Sequence, residues 1–354
     1  MHNENQIFMK YAFNGRFLTK KITGQERFAI ELISHIDKIC DKGEFCVVTS
    51  KLAKDLPKFQ NIDIVQVGTL KREAWEQFCL GPYLDKHHLK SVNLTTTFPL
   101  WHSDVVCLHD VSVFEIGKMF MHSAYGFFGT IWKRLLFHIA AKKANEILTV
   151  SEYSRKKLNS ILGIPLEKIH VVYNAWQHIN SVYADENVMQ RFNLKKDSFF
   201  FSLSSLSPQK NFIWIKEVAK RNPNLLFVVT GKAEGFTKLG FDDLKTDNII
   251  FTGYLTDGEI KALYENCRAF IHPAIYEGFG IPPLEAMACG APIIVSTATC
   301  LPEIYQDAAH YIDPYDYDVD LETLLFQPVA PRNTVLDRFD WSREAEKLLK
   351  ILRK

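Results

Sequence analysis

Short apolar runs alternate with amphipathic segments along most of this chain. The apolar runs predict buried strands, and the segments between them place apolar residues at helical spacing. Strands that alternate with helices favour parallel sheets, because each helix carries the chain back to begin the next strand on the same side. The alternation stops at residues 175–195, which are polar and irregular, and then restarts. We therefore predict an α/β fold with two doubly wound, Rossmann-like domains.

The predicted domain boundaries follow from this interruption. A chain of 354 residues can bury two cores, since single cores stop growing at roughly 250–300 residues. We expect domains at residues 1–178 and 196–335, a linker at 179–195, and a last helix within 336–354 that packs back towards the first domain. The predicted strands cover residues 7–13, 45–49, 62–67, 105–108, 146–150, 169–173, 199–203, 225–230, 249–252, 269–272 and 292–296. Helices are predicted from Thr23, from residue 75, and at residues 132–144, 155–162, 211–221, 257–266 and 342–352.

The charge is close to balanced overall but uneven along the chain. The net charge is +1, yet residues 1–180 hold 23 Lys and Arg against 17 Asp and Glu, and the remainder holds 19 against 24. The basic half fits either an anionic partner, such as a membrane surface or a lipid phosphate, or random scatter. Nothing in the composition indicates a nucleic-acid partner.

The cysteines indicate a reducing compartment. Seven are present, widely spaced and without a CxxC pair, which favours buried thiols over disulfides or a zinc site. No signal-like segment and no apolar run of about 20 residues is found, so we expect a cytoplasmic protein with at most peripheral contact to the inner face of the membrane. No His, Cys or Asp cluster has metal-ligand spacing, and no metal is expected.

A Gly-rich turn lies between a predicted strand and a predicted helix in residues 270–304. The motif EGFG at residues 277–280 is followed by two prolines, Glu285 is expected in the first helical turn, and Gly290 ends the helix. Backbone N–H groups at such a helix start suit a phosphate. The carboxylates of Glu277 and Glu285 flank this turn and are suited to sugar hydroxyls, so the stretch predicts a sugar-nucleotide site. In the alternative interpretation neither glutamate binds a ligand: Glu277 is an exposed loop acid, and Glu285 stabilises the helix dipole.

Three further positions are candidates for the site. Residues 23–26 (TGQE) read as a capping box that starts a helix behind a Gly-containing loop, a second place for a phosphate. His109 follows the predicted strand 105–108, at the sheet edge where ligands gather, although a His that caps a buried strand is the alternative. Lys210 begins a predicted helix, where a cation is unfavourable unless an anion binds. We interpret His272, which precedes Pro273, as structural.

Eight ordered segments together resemble a known family. The signature EGFGIPPLE, between HPAIY and AMACGAPII, resembles the two-glutamate motif of retaining GT-B glycosyltransferases of glycosyltransferase family 4. The other segments are ITGQERFAIEL, LHDVSVFE, LTVSEYSRKKL, IHVVYNA, LSSLSPQKNF, VVTGKAE and IIFTGYLTDGEIKALYENCRAFIHPA. The resemblance spans nearly the whole chain and is densest at residues 199–305. It implies a GT-B fold, in which two Rossmann-like domains face each other across a cleft, with the acceptor on the first and the donor on the second.

The resemblance also implies roles for individual residues. Glu285 would bind the ribose hydroxyls, Glu277 would face the transferred sugar, and Lys210 would stabilise the leaving diphosphate without a metal. The Gly24 loop and His109 would contact the donor from the other domain. The remaining donor-binding positions implied are Asn174, Ser205, Gly278, Phe279, Gly280 and Ile281, with Tyr254 and Leu255 along the nucleobase.

One departure from the family pattern concerns the diphosphate. The family usually pairs the lysine with an arginine five residues earlier or immediately before it, and these positions are Ser205 and Gln209 here. The donor clamp therefore holds a single side-chain cation unless Arg16 or Arg27 supplies a second. Asn174-Ala175 also differs from the usual Asn-Gly.

The resulting expectation is a retaining, metal-independent hexosyltransferase. It would use a GDP-, UDP- or dTDP-sugar as substrate, need no cofactor, and glycosylate a sugar hydroxyl of a glycan or lipid-linked acceptor in surface polysaccharide synthesis of the O-antigen or capsule type. Two alternatives stay open, a sugar-nucleotide epimerase or hydrolase on the same fold, and a non-catalytic partner that keeps the scaffold. The sequence leaves the oligomeric state open.

Overall fold

The computed structural model describes residues 10–121, 124–203, 207–231 and 246–354. Internal contacts divide the chain into two compact units. The N-terminal unit comprises Met1–Asn174 together with Trp341–Lys354, and the C-terminal unit comprises Ala175–Asp340. The first domain was predicted to extend to residue 178, but the C-terminal unit already begins at Ala175. Residues 179–195, expected to form a linker, belong to that unit and include the end of a 3₁₀ turn at Gln177–Ser181 and a helix at Asn187–Arg191.

Each unit is built on one parallel sheet, which confirms the predicted α/β class. The N-terminal sheet has the order β3-β2-β1-β4-β5-β6-β7 and the C-terminal sheet has the order β10-β9-β8-β11-β12-β13. The strands of the N-terminal sheet are β1 Tyr11–Asn14, β2 Phe45–Thr49, β3 Asp63–Gln66, β4 Lys90–Asn93, β5 Val105–Cys107, β6 Glu146–Thr149 and β7 Ile169–Val171. The second sheet contains β8 Phe199–Ser202, β9 Leu226–Val229, β10 Ile249–Phe251, β11 Ala269–His272, β12 Ile293–Ser296 and β13 His310–Ile312.

The helices connect these strands and differ in places from the prediction. They are α1 Gly24–Ile36, α2 Arg72–Trp75, α3 Gly81–His87, α4 Ser112–Glu115, α5 Ala124–Lys143, α6 Glu152–Leu162, α7 Asn187–Arg191, α8 Phe212–Arg221, α9 Asp257–Asn266, α10 Ile281–Ala288, α11 Leu301–Tyr305, α12 Leu321–Phe326, α13 Asn333–Leu336 and α14 Trp341–Leu352. The helix predicted from residue 75 begins at Arg72 and becomes a π-helix at Glu76–Leu80.

Two capping motifs show where local signals decide the helix start. Helix α1 begins directly after Thr23, as predicted, but the Thr23 hydroxyl donates to the Glu26 carboxylate and makes no side-chain cap bond to this helix. The complete capping box forms instead at α9. There the Thr256 hydroxyl accepts from the Glu259 amide, and the Glu259 carboxylate accepts from the Thr256 amide.

The C-terminal helix α14 closes the core of the N-terminal unit. Trp341 is fully buried, and its ring lies 6.3 Å from that of Phe28 on α1. Glu344 accepts a hydrogen bond of 2.8 Å from the backbone N–H of Tyr173. The amphipathic pattern of this segment thus buries its apolar face against the first unit, although about 160 residues of chain separate them.

Both sheets have a topological switch point. Strands added in opposite directions from β1 and β4, and from β8 and β11, leave a crevice at the carboxyl ends of these neighbouring pairs. In open α/β sheets ligands bind at such a crevice. We therefore expect the ligand site of the C-terminal unit at the loops that follow β8 and β11.

Two further expectations concern membrane-spanning helices and the state of the cysteines. Within the described part of the chain, no helix is long and apolar enough to cross a membrane. All seven cysteines are free thiols, and five of them are buried.

Candidate functional site

Three charged or titratable side chains meet at the switch point of the C-terminal unit. Lys210 ends the 3₁₀ turn Pro208–Lys210 that follows β8, and His272 is the last residue of β11. Glu277 lies in the loop after β11, and its Oε1 accepts from Lys210 Nζ at 2.5 Å and from His272 Nε2 at 2.9 Å. The chain brings Lys210 and Glu277 together across 67 residues of sequence. The sequence predicted both as site residues but not this ion pair.

The electrostatics of this cluster keep Glu277 ionised. Burial alone would raise the pKa of Glu277, but the Lys210 charge and the His272 hydrogen bond outweigh it and lower the pKa to about 2. Burial lowers the pKa of His272 even though Glu277 opposes the shift, so the imidazole is neutral and donates from Nε2. Glu277 Oε2 accepts no hydrogen bond from the described residues. This oxygen can therefore accept from a ligand hydroxyl.

The loop around Glu277 is fixed by residues of the next βα connection. The Glu277 N–H donates to Thr299 Oγ1 at 3.1 Å, and the Cys300 thiol donates to the Glu277 carbonyl at 3.3 Å. Ile275 N–H donates to the Gln209 carbonyl at 2.9 Å, which ties the loop after β11 to the loop after β8. These bonds fix the positions of the two loops, so that the Glu277 carboxylate lies next to Lys210.

Gly280 is required at the turn into α10. Its φ is +89°, and a Cβ there would lie 2.9 Å from Leu301 Cδ2. The Tyr305 hydroxyl donates to the Gly280 carbonyl. Because α10 begins at Ile281, Glu285 lies in its second turn and not in the first as the sequence predicted. Pro282 and Pro283 carry no N–H, so fewer backbone donors face the turn than in an ordinary helix start.

Glu285 is held by two residues that the sequence did not point out. His178 Nε2 donates to one carboxylate oxygen at 2.7 Å, and the Tyr264 hydroxyl donates to the other at 3.2 Å. Burial raises the pKa of Tyr264 well above its usual value, and the Glu285 charge adds to the shift. His178 lies in the 3₁₀ turn Gln177–Ser181, at the predicted boundary between the first domain and the linker. The sequence around His178 carries no recognisable motif, and only the nearby apolar residues Trp176 and Ile179 indicate that this segment packs against the protein.

Other predicted donor positions occupy the same unit. Phe279 is buried and its ring packs 5.2 Å from that of Phe339. Tyr254 is exposed and follows Gly253, which bridges to Gly231, and Leu255 is half-buried. Gly278 and Ile281 flank the turn described above. Ser205 lies outside the described residues, so the structure gives no account of that position.

His109 is buried in the N-terminal unit. Its Nε2 donates to the Leu94 carbonyl at 2.8 Å, and the Phe28 ring meets the imidazole edge-on at 5.0 Å. Burial lowers the pKa of His109, although the Leu94 hydrogen bond opposes the shift. The imidazole is therefore neutral, with Nδ1 as its acceptor. The hydrogen bond to Leu94 fits the structural interpretation of His109, and contact with the donor sugar stays a prediction.

Two more N-terminal candidates show different environments. Gly24 is exposed and is the first residue of α1. Asn174 is buried, and its side-chain oxygen has no hydrogen-bond partner among the described residues. A buried polar atom without a partner is uncommon, and it is consistent with a ligand-facing amide.

Arg16 is committed to partners within the N-terminal unit. Its guanidinium bonds Glu76 Oε2 at 2.7 Å, Glu73 Oε1 at 2.6 Å and Thr97 Oγ1 at 3.0 Å. Glu76 also accepts from Asn14 at 2.9 Å, so the cluster fills the switch point between β1 and β4. Arg27 lies 3.8 Å from Glu31 on the next turn of α1. These partners favour a structural role for Arg16.

The described residues contain no group of three or more His, Cys, Asp and Glu side chains that could hold a metal ion. The candidate site consists of a lysine, two carboxylates, two histidines and a Gly-led helix start. Such a set can bind a diphosphate with one cation and hold sugar hydroxyls with carboxylates.

The chain is similar to proteins described as glycosyltransferases. Residues 184–320 match the family model described as "Glycosyl transferases group 1". The chain is 27% identical over 319 residues to the O-antigen chain mannosyltransferase RfbU of Salmonella typhimurium, covering 84% of this chain and 85% of that protein. It is 29% identical to the O-antigen chain mannosyltransferase B of Escherichia coli, covering 60% of this chain and 58% of that protein.

The fold comparison extends over the whole length. The sucrose-phosphate synthase of Thermosynechococcus elongatus has a TM-score of 0.75 at 14% identity and covers 98% of both chains. At this identity the likeness shows the fold alone. It confirms the predicted fold class of two Rossmann-like domains, and the structural neighbours are GT-B glycosyltransferases.

Proposed function

We propose that this protein, whose residues 184–320 match the group 1 glycosyl transferase model, moves a mannose-type hexose from a nucleotide diphosphate to a sugar hydroxyl. The acceptor would be a glycan or a lipid-linked oligosaccharide of an O-antigen-like surface polysaccharide, and the reaction would take place in the cytoplasm. The mannosyl donor is suggested by the names of the relatives, which are O-antigen chain mannosyltransferases. The observation that carries the proposal is the Lys210–Glu277–His272 cluster at the switch point beside the Gly280 turn.

The chemistry follows from the charges of the cluster. Lys210 would neutralise the diphosphate as the bond to the sugar breaks, and the N–H groups at Gly280 and Ile281 would add donors on the same side. Glu277 Oε2 would hold a sugar hydroxyl while Oε1 keeps Lys210 in place. The acceptor oxygen would attack from the face that the diphosphate leaves, and a phosphate oxygen would take its proton. The anomeric configuration would be retained.

The same groups offer a substitute for a metal ion. Lys210 is a fixed charge held at 2.5 Å by the half-buried Glu277 carboxylate, and it needs little reorganisation when the diphosphate arrives. We propose a metal-independent reaction on this basis. Activity that is unchanged by a chelator would support it, and activity that is lost with the chelator and restored by a divalent cation would contradict it.

The donor experiment separates the three candidate functions. Pure protein is incubated with GDP-, UDP- and dTDP-sugars, including GDP-mannose, and the products are followed by nuclear magnetic resonance. Slow hydrolysis that retains the anomeric configuration supports the transferase. Inversion at C2 would support an epimerase, and no binding of any nucleotide would support a non-catalytic partner.

We expect Glu285→Ala to weaken nucleotide binding at least about tenfold, because each lost hydrogen bond to a charged group costs roughly 1.5–3 kcal/mol. Isothermal calorimetry with the bare nucleoside diphosphate measures the effect. Glu265→Ala, on the exposed side of α9, is the matched control and should keep wild-type affinity. Unchanged affinity in Glu285→Ala would remove Glu285 from the nucleotide site.

We expect His109→Ala to lower kcat while nucleotide affinity is largely kept, because His109 would contact the sugar and not the nucleotide. His109→Gln separates this role from a structural one, since its amide can still donate to the Leu94 carbonyl. Reduced kcat in both variants supports contact with the donor sugar. Full activity in His109→Gln would make His109 a purely structural residue.

A further inference from the structure

Helix α5 is apolar on two opposite faces. Its inner face is buried in the N-terminal unit through Leu136, Phe137 and Ala140, and the Phe137 ring packs 5.6 Å from that of Phe114. A globular protein needs only one apolar face on a helix at its surface. The second apolar face of α5 therefore calls for an explanation outside the fold of this unit.

The outer face carries four large apolar side chains in one stripe. Phe127, Phe128, Ile131 and Leu135 are 43%, 67%, 45% and 46% exposed. At 3.6 residues per turn they fall within a sector of about 100°, so they form one continuous surface, here called the α5 stripe. Lys142, seven residues after Leu135, continues the same face towards the end of the helix. Single exposed apolar residues are ordinary, but a contiguous stripe of this kind marks an interaction surface.

The segment of sequence that contains the α5 stripe carries charge of one sign. Between Glu115 and Glu146 the sequence contains no acidic residue and five basic ones, namely Lys118, Lys133, Arg134, Lys142 and Lys143. Lys118, Lys133 and the two terminal lysines of α5 are exposed. A partner that covers the stripe therefore has to present apolar surface bordered by negative charge.

We propose that the α5 stripe inserts its phenylalanines and aliphatic side chains into the interfacial layer of an anionic lipid bilayer, while the surrounding lysines contact the lipid headgroups. An interfacial helix combines an aromatic and aliphatic face with Lys and Arg, and each basic group near such a surface adds to the attraction. The helix lies on the bilayer and does not cross it, in keeping with the four basic residues that it contains. A lipid-linked acceptor under the proposed function would be presented at that surface.

The test uses the full-length protein and vesicles that contain no sugar acceptor, so its result does not depend on the proposed transferase activity. Vesicles of phosphatidylcholine with phosphatidylglycerol are sedimented with wild-type protein and with Phe128→Asp/Ile131→Asp. We expect the double variant to partition at least about tenfold more weakly, because it replaces two inserted apolar groups with charges that the headgroups repel. Wild-type binding should also fall as salt is raised and on vesicles of phosphatidylcholine alone.

The matched control is Phe78→Asp, which changes a 72% exposed phenylalanine elsewhere in the N-terminal unit. It should bind vesicles like the wild type, and thermal unfolding should show both variants folded, since all three positions are exposed. Equal binding of the double variant and the wild type would overturn the proposal, as would no wild-type binding at all. A dimer in light scattering that the double variant dissociates, without vesicle binding, would assign the stripe to a second copy of the chain and also overturn it.

Discussion

Replacing Lys210 with alanine is expected to lower kcat by about two to three orders of magnitude, the usual effect of removing one preorganised electrostatic group from a transition-state site. The variant loses the only side-chain cation that the described residues place on Glu277. It also leaves the Glu277 carboxylate, whose pKa is about 2 in the intact cluster, without its main counter-charge. Turnover is measured with saturating nucleotide sugar, so that a change in donor affinity does not enter.

A double variant separates two explanations for that loss. If Lys210 served only to neutralise Glu277, then Lys210→Met combined with Glu277→Gln would be as active as Glu277→Gln alone, because no charge in the cluster would stay unpaired. We expect the double variant to be far less active than Glu277→Gln alone, since the diphosphate still lacks its cation. Lys216→Ala, one turn into α8, is the matched control and should retain wild-type turnover. Equal activity in the double variant and in Glu277→Gln would contradict a direct role for Lys210.

Replacing Arg16 with alanine is expected to lower the free energy of unfolding by about 3–5 kcal/mol, the usual result of removing one partner of a buried ion pair. The loss leaves the carboxyl group of Glu76, whose side chain is 1% exposed and whose pKa burial already raises, without its cation at the switch point between β1 and β4. Urea unfolding followed by circular dichroism measures the change. Arg221→Ala, which removes an exposed pair with Glu217, should cost less than about 1 kcal/mol.

The Arg16 variant also decides whether this arginine replaces the family cation absent at Ser205 and Gln209. A structural cation predicts a large loss of stability, and Arg16→Ala/Glu76→Gln should recover part of it by removing the unpaired carboxyl group. A stable Arg16→Ala protein with much weaker donor binding would instead place Arg16 in the donor site.

The secondary structure was largely predictable because its signals are local. Strands β2 and β11 and helix α9 have the predicted bounds. The sequence missed β4 (KSVN) and β13 (HYI), which have too few apolar residues in a row to stand out from loops and become strands by pairing with β1, β5 and β12. The first predicted strand is described from Tyr11 onwards, and its start lies outside the described residues.

The candidate site was predictable in its members but not in its contacts. Glu277, Glu285 and Lys210 carry recognisable motifs, whereas His178 lies in a polar segment without one. Its partnership with Glu285 depends on two turns that are 107 residues apart in the chain. His272 was interpreted as structural from Pro273 alone, and the structure places it on Glu277. Long-range pairings of this kind leave no trace in local spacing.

The shared oxygen of Glu277 has a consequence for which anions the site admits. Lys210 has a negative partner in Glu277 at 2.5 Å, so an inorganic phosphate ion gains little by competing for it. A nucleotide sugar offers an exchange, since its hydroxyls can bind the carboxylate while its diphosphate binds the lysine. We therefore expect the Lys210–Glu277 ion pair to make the site selective, so that small phosphate ions bind weakly and the complete nucleotide sugar binds well.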